Sequence, residues 1–138
     1  MTTHLDLTDK EFVTQFRSCQ LDPELFTHEA HLRLAWIYLK TYGIDHSVEE
    51  LPKQFKAFVA YAGATDKYNE TVTVAALKVV NHFMASSSED NFLDFIANNP
   101  RLMTDFMQLL TSHYSIDIFN SERARKEYVE PDLLDFDR

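Results

Sequence analysis

Histidines at positions 28 and 31, within Phe26-Thr27-His28-Glu29-Ala30-His31-Leu32-Arg33, have the types and spacing to let two imidazoles reach one ligand. At 100° per residue they stand on the same side of a helix as the apolar stripe Leu32, Ala35, Trp36 and Leu39, so both rings face the core. Residues three apart on a helix can share one metal ion or one polar group. The first turn of a helix disfavours imidazolium, because the positive end of the dipole lies there, and neutral imidazole is the ligating form. His-Glu-Ala-His is one residue short of the zinc-peptidase spacing His-Glu-x-x-His, so Glu29 has no general-base role of that kind. Two histidines hydrogen-bonded to backbone or carboxylate at a helix start explain the same pattern equally well.

Tyr68-Asn69-Glu70-Thr71-Val72-Thr73 is a second polar cluster, and Glu70 in it could be a third metal ligand or the partner of an imidazole N–H. Capping of a helix start explains Asn, Glu and Thr there without any ligand. Among the other histidines, His82 lies off the apolar stripe of its helix, His4 and His46 fall in terminal or loop positions, and only His113, beside Tyr114, qualifies as a further ligand. Arg123 and Arg125 could meet an anion, although ion pairs with Glu127, Glu130 and Asp132 account for them. Cys19 has no CxxC partner and reads as a small buried residue. The chain contains no GxSxG, Walker A or dinucleotide glycine motif, so hydrolase triads, NTPases and nicotinamide enzymes find no support.

These groups must be positioned by helices. Thr8-Asp9-Lys10-Glu11 is a capping box that opens a helix from 9 to about 19. Asp22-Pro23 marks a turn, Thr27 caps a second helix, and Gly43 closes it as a C′ glycine. Ser47-Val48-Glu49-Glu50 forms another capping box and starts a third helix ended by Gly63; Pro52 suits its first turn. Asn69 caps a fourth helix through about 85. Its Thr71-Val72-Thr73-Val74 alternates like a strand, but Val72, Ala76, Val79, Val80 and Phe83 sustain the helical period. Ser87 or Ser88 caps a short fifth helix, Pro100 opens a sixth through Leu110, and Ser121 a seventh to about Tyr128. Residues 133–138 form an acidic tail, docked on the body or frayed.

Residues 1–138 thus predict one all-α domain of six or seven helices in bundle-like packing. Two glycines and four prolines leave few positions for tight hairpins, and eleven Phe, six Tyr and one Trp supply large core pieces. A net charge of −9 argues against nucleic acid and anionic membrane as partners. One cysteine and no basic-then-apolar start point to the cytoplasm.

The chain resembles a family of small uncharacterised bacterial all-helical proteins. The resemblance rests on Phe26-x-His28-x-x-His31-Leu32-Arg33-x-Ala35-Trp36-x-Tyr38-Leu39, then Asp66-Lys67-Tyr68-Asn69-Glu70-Thr71-x-Thr73. It continues through Tyr114-Ser115, Ser121-x-x-Ala124-Arg125 and Val129-x-Pro131-Asp132. The resemblance implies a compact helical domain and names no activity. Members often have His at the position of Asn69; an amide oxygen is a poor substitute on zinc or iron, which favours a polar small-molecule pocket over a metal.

The expected site is therefore an internal polar one formed by His28, His31, Tyr68 and Glu70, with Tyr114 and Arg125 contributing. It would bind a small polar ligand or a divalent metal held by His28, His31 and Glu70. If it catalyses a reaction, Glu70 or a histidine is the acid or base and the metal a Lewis acid. The alternative is a noncatalytic interaction module, in which those residues form a structural hydrogen-bond network and the surplus aromatics or the Leu133–Phe136 tail meet a protein partner or a second copy.

Overall fold

A computed structural model describes residues 3–136, and its first α-helix opens on the expected capping box. In α1 (Asp9–Arg17), Glu11 N–H donates to Thr8 Oγ1 at 3.1 Å and Thr8 N–H donates to the Glu11 carboxylate at 2.9 Å. The helix buries Phe12 and Phe16 and stops at Cys19, whose φ of 60° lets Gln20 N–H reach back to Gln15 O at 2.8 Å. Cys19 is half-buried, not fully buried as expected, because this left-handed stop lifts it away from the core.

Thr27 Oγ1 accepts from Ala30 N–H and starts α2 (His28–Tyr61). The sequence suggests two helices joined by a connection, with Ser47 as the second cap. Instead one glycine makes the whole join: Gly43 has φ 80° and ψ 175°, and residues 44–61 resume the helix immediately after it. Consequently Ser47 Oγ is buried without a hydrogen-bond partner, Pro52 lies inside the helix, and His46 is helical, 4.9 Å from the Tyr42 ring. The two arms fold back on each other. Phe26 sits 5.0 Å from Phe58, His31 sits 5.4 Å from Phe55, and Tyr38 Oη donates to Gln54. Gly63, φ 74°, closes the second arm with Ala64 N–H on Val59 O at 2.8 Å.

Asn69 caps α3 (Glu70–Ala85), and the strand-like Thr71–Val74 run is helical throughout. α3 packs along α2 and touches α6 and α7 as well, which makes it the central element. α4 (Phe92–Asn98) is capped by Asn91 rather than Ser87 or Ser88; Ser87 Oγ donates to Phe83 O and finishes α3 instead. The helix expected after Pro100 breaks at Asp105, φ −127°, into α5 (Arg101–Thr104) and α6 (Phe106–Thr111). Ser121 caps α7 (Glu122–Lys126).

Among the described residues there is no strand, and the seven helices pack as one all-α bundle-like domain. Its core runs through Phe12, Phe16, Leu34, Tyr38, Phe58, Leu77, Phe95, Leu102 and Ile118, all fully buried. Burial of each large side chain contributes roughly 1.5–3 kcal/mol. Residues 133–136 of the tail are docked: Leu133 N–H donates to His113 O, His113 Nδ1 to Leu134 O at 2.8 Å, and Phe136 packs 4.4 Å from the His113 ring. Asp137 and Arg138 of that tail lie outside the described residues. Among those described, no helix is long and apolar enough to cross a membrane.

Candidate functional site

Between the two arms of α2 and the start of α3 the fold leaves a cavity of about 190 Å3. Leu32, Ala35, Leu51, Phe55, Val72, Ala76, Leu77 and Val80 wall it. His28, His31, Lys67, Tyr68, Asn69 and Thr73 supply its polar atoms, with Phe26 and Phe106 closing the histidine end. Helical periodicity aims His28 and His31 inward; the contact between α2 and α3 brings the second polar cluster to meet them. Three of the expected site residues, His28, His31 and Tyr68, therefore share one cavity.

His28 is anchored at its edge. Nε2 lies 2.9 Å from Leu102 O, and since a carbonyl only accepts, Nε2 carries the proton and donates. In the neutral ring Nδ1 is left as an acceptor, while Phe106 packs 4.9 Å from the ring.

His31 is different, because neither ring nitrogen has a hydrogen-bond partner among the described residues. The Phe26 ring meets it edge-on at 4.1 Å, with Phe55 at 5.4 Å. His31 is exposed to solvent and lines both the cavity and an open cleft beside it, with Phe26 and Phe55 crowding the ring. That crowding lowers its pKa from 6.5 to about 4, burial being the main cause and the charge of His28 the second. The opening to solvent limits the size of this effect. The expected depression is present, but burial drives it rather than the helix dipole. At neutral pH His31 is an uncharged imidazole able to donate one hydrogen bond and accept another.

Tyr68 Oη donates to the Glu70 carboxylate at 2.6 Å, and Lys56 Nζ lies 3.6 Å from the same oxygen. Burial raises the Tyr68 pKa, reinforced by the hydrogen bond and negative charge of Glu70, so the phenol stays protonated. Glu70 is thereby taken up by Tyr68 and Lys56 and is not among the cavity walls. His28, His31 and Glu70 do not assemble as metal ligands: among the described residues no group of three or more His, Cys, Asp or Glu could hold a metal ion. Asn69 is also committed, since Oδ1 caps Val72 N–H and Nδ2 donates to Ile118 O at 2.8 Å.

Two other expected contributors stand elsewhere. Tyr114 is buried away from the cavity, donating to Val129 O at 2.7 Å; burial raises its pKa most, followed by the neighbouring Tyr128. It secures the segment after α7 together with Thr71, which donates to Glu127 O and accepts from Val129 N–H. Arg125 donates to Asp66 O and pairs with Glu122 in a cleft that borders Tyr68 from another direction. His113 is held by the C-terminal tail and is not in the cavity.

Sequence reasoning missed the apolar walls as site residues, and it missed Lys67 and Thr73. The repeating Val72, Ala76, Val80 spacing was visible but looked like ordinary core. It also placed His4 in a terminus. His4 is in fact buried, 2.8 Å from the Glu29 carboxylate, beside an Arg33 that donates to His4 O, Leu7 O and Asp9. No family model matches the chain, and no curated protein or solved structure is significantly similar to it.

Proposed function

We propose that this protein binds a small, largely apolar molecule in the cavity between α2 and α3, with the ligand's polar group hydrogen-bonded to His31. The observation that carries this reading is an imidazole without a partner in a cavity whose walls are otherwise mostly hydrocarbon. The His31 ring is open to solvent, so a ligand's hydrogen bond replaces one to water and the affinity comes mainly from burying the ligand's apolar body against the cavity walls. Small-molecule sites share this composition, an apolar hollow with a few converging polar atoms. The cavity is slightly larger than engineered ones of roughly 150 Å3 that admit benzene, so the ligand body is a single ring or a chain of about six carbons.

The His28 proton lies on Nε2, which leaves Nδ1 an acceptor, and the hydroxyls of Tyr68 and Thr73 border the same cavity. Binding is the reading supported here. A divalent metal at His28 and His31 would have to draw its remaining ligands from the bound molecule.

The test is thermal shift and ligand-observed NMR with 1-hexanol, benzyl alcohol and cyclohexanone against the full chain and an Ala76→Phe variant. Ala76 lines the cavity and is only partly buried, so a phenyl group there fills the ligand space. Saturable binding that raises the melting temperature and disappears in A76F is expected. No binding by any probe, or binding indifferent to A76F, would overturn the proposal.

A further inference from the structure

His28 and His31 stand in the walls of two hollows. One is the apolar cavity between α2 and α3; the other, beside it, is an open cleft of about 480 Å3 against α5 and α6. The two have four side chains in common, His28, His31, Val72 and Phe106, and His31 is open to solvent. A group hydrogen-bonded to His31 therefore stands where the walls of both meet. Met103, Met107 and Phe119 give the cleft an apolar floor, and both methionines are exposed, Met107 at 62%. Unbranched thioether side chains adapt readily to an apolar group laid over them.

The two rings differ in what they offer. His28 Nε2 donates to Leu102 O at 2.9 Å, so in its neutral form His28 presents a ligand only with an acceptor, Nδ1. His31, with no hydrogen-bond partner among the described residues, can donate its N–H. A group that meets both rings must bring one donor and one acceptor, on separate atoms because the rings are separate. Charge makes no demand for an ionic ligand, since Lys67 in the cavity wall and Asp105 in the cleft wall are of opposite sign.

We infer that the ligand is a secondary carboxamide whose acyl chain, of about six carbons, fills the cavity. Its carbonyl accepts from His31, its N–H donates to His28, and its N-substituent lies in the cleft over Met103 and Met107. This rests on the cavity reading above and adds the class and orientation of the ligand. The polar group at His31 becomes an internal link between two apolar arms.

Isothermal titration at pH 7.5 with N-butylhexanamide, hexanamide and butyl hexanoate tests this. N-butylhexanamide is expected to bind about tenfold more tightly than hexanamide, the effect of partly covering the butyl carbons. It is expected to bind about fivefold more tightly than the more apolar ester, which lacks the N–H. In a Met103→Ser, Met107→Ser double variant the advantage over hexanamide is expected to fall below about threefold while hexanamide affinity holds, which also shows that the variant is folded. Equal binding of the two amides by the unmodified protein, or a larger advantage left in the double variant, takes the N-substituent out of the cleft and overturns the inference, with the cavity reading intact. An ester that binds as tightly as N-butylhexanamide overturns the amide assignment. Binding of none of the three removes the cavity reading itself.

Discussion

Two faces of the same helical turn carry the same kinds of residue to opposite ends. On one face of α2, Glu29 and Arg33 enter a network with His4 and Asp9 in which each charged group has a partner, including Arg33 Nη2 to Asp9 at 2.8 Å. On the other, His28 and His31 face a hollow, and His31 has no hydrogen-bond partner among the described residues. His4 is a buried imidazole that holds the N-terminal turn to the body, whereas His31 is open to solvent and left available. Residue type does not separate a structural polar group from a candidate site, whereas completeness of pairing does.

The largest effect should come from breaking the paired face. Arg33→Ala strands the His4 and Leu7 carbonyls and should cost roughly 2–4 kcal/mol in urea unfolding, with amide exchange accelerating over residues 3–8. A cost below about 1 kcal/mol would mean the network is not the anchor described. Asn69→Ala, which removes the α3 cap and the bond to Ile118, should lose about 1–2 kcal/mol and loosen the cavity wall it supports.

The unpaired face should respond in the other sense. His31→Leu replaces an unpartnered imidazole among Phe26 and Phe55, and should leave stability at pH 7.5 unchanged or raise it by about 0.5–1 kcal/mol while abolishing probe binding. Loss of stability on that substitution would make His31 structural and erase the contrast with His4.

The smallest effect is the pH leg. A histidine lowered from 6.5 to about 4 binds its proton more readily unfolded than folded, so it contributes stability above 6.5 that is lost as pH falls toward 4. The melting temperature of the protein should therefore fall more steeply across that window than that of His31→Leu. The His31 ring resonances should titrate below the ordinary histidine value of 6.5.

Much of this was legible in the chain, and the illegible part has a common cause. Thr8 with Glu11, Thr27, Asn69 and Gly63 act locally, within a turn of themselves, and local pattern found them. Ser47 has the pattern of a cap but not its place, because the backbone swings straight from Gly43 into the next helix and leaves no gap to cap. The site divided along the same line: the side of the helix on which His28 and His31 stand follows from period 3.6. That they would meet Tyr68 while Glu70 turned to Lys56, or that His4 would reach Glu29, depends on contacts between distant segments, which no spacing encodes.

Gly43 has a consequence for the order of assembly. Because the arms of α2 are joined through one residue, the contacts of Phe26 and His31 with Phe55 and Phe58 close over a short loop, and contacts of low sequence separation form early. The third wall arrives only when α3 docks, and α3 is in turn held by Ile118 and by the segment through Val129. The hollow between α2 and α3 is thus among the last volumes to be enclosed, and a small molecule present during refolding would meet an open hairpin before it meets a finished cavity.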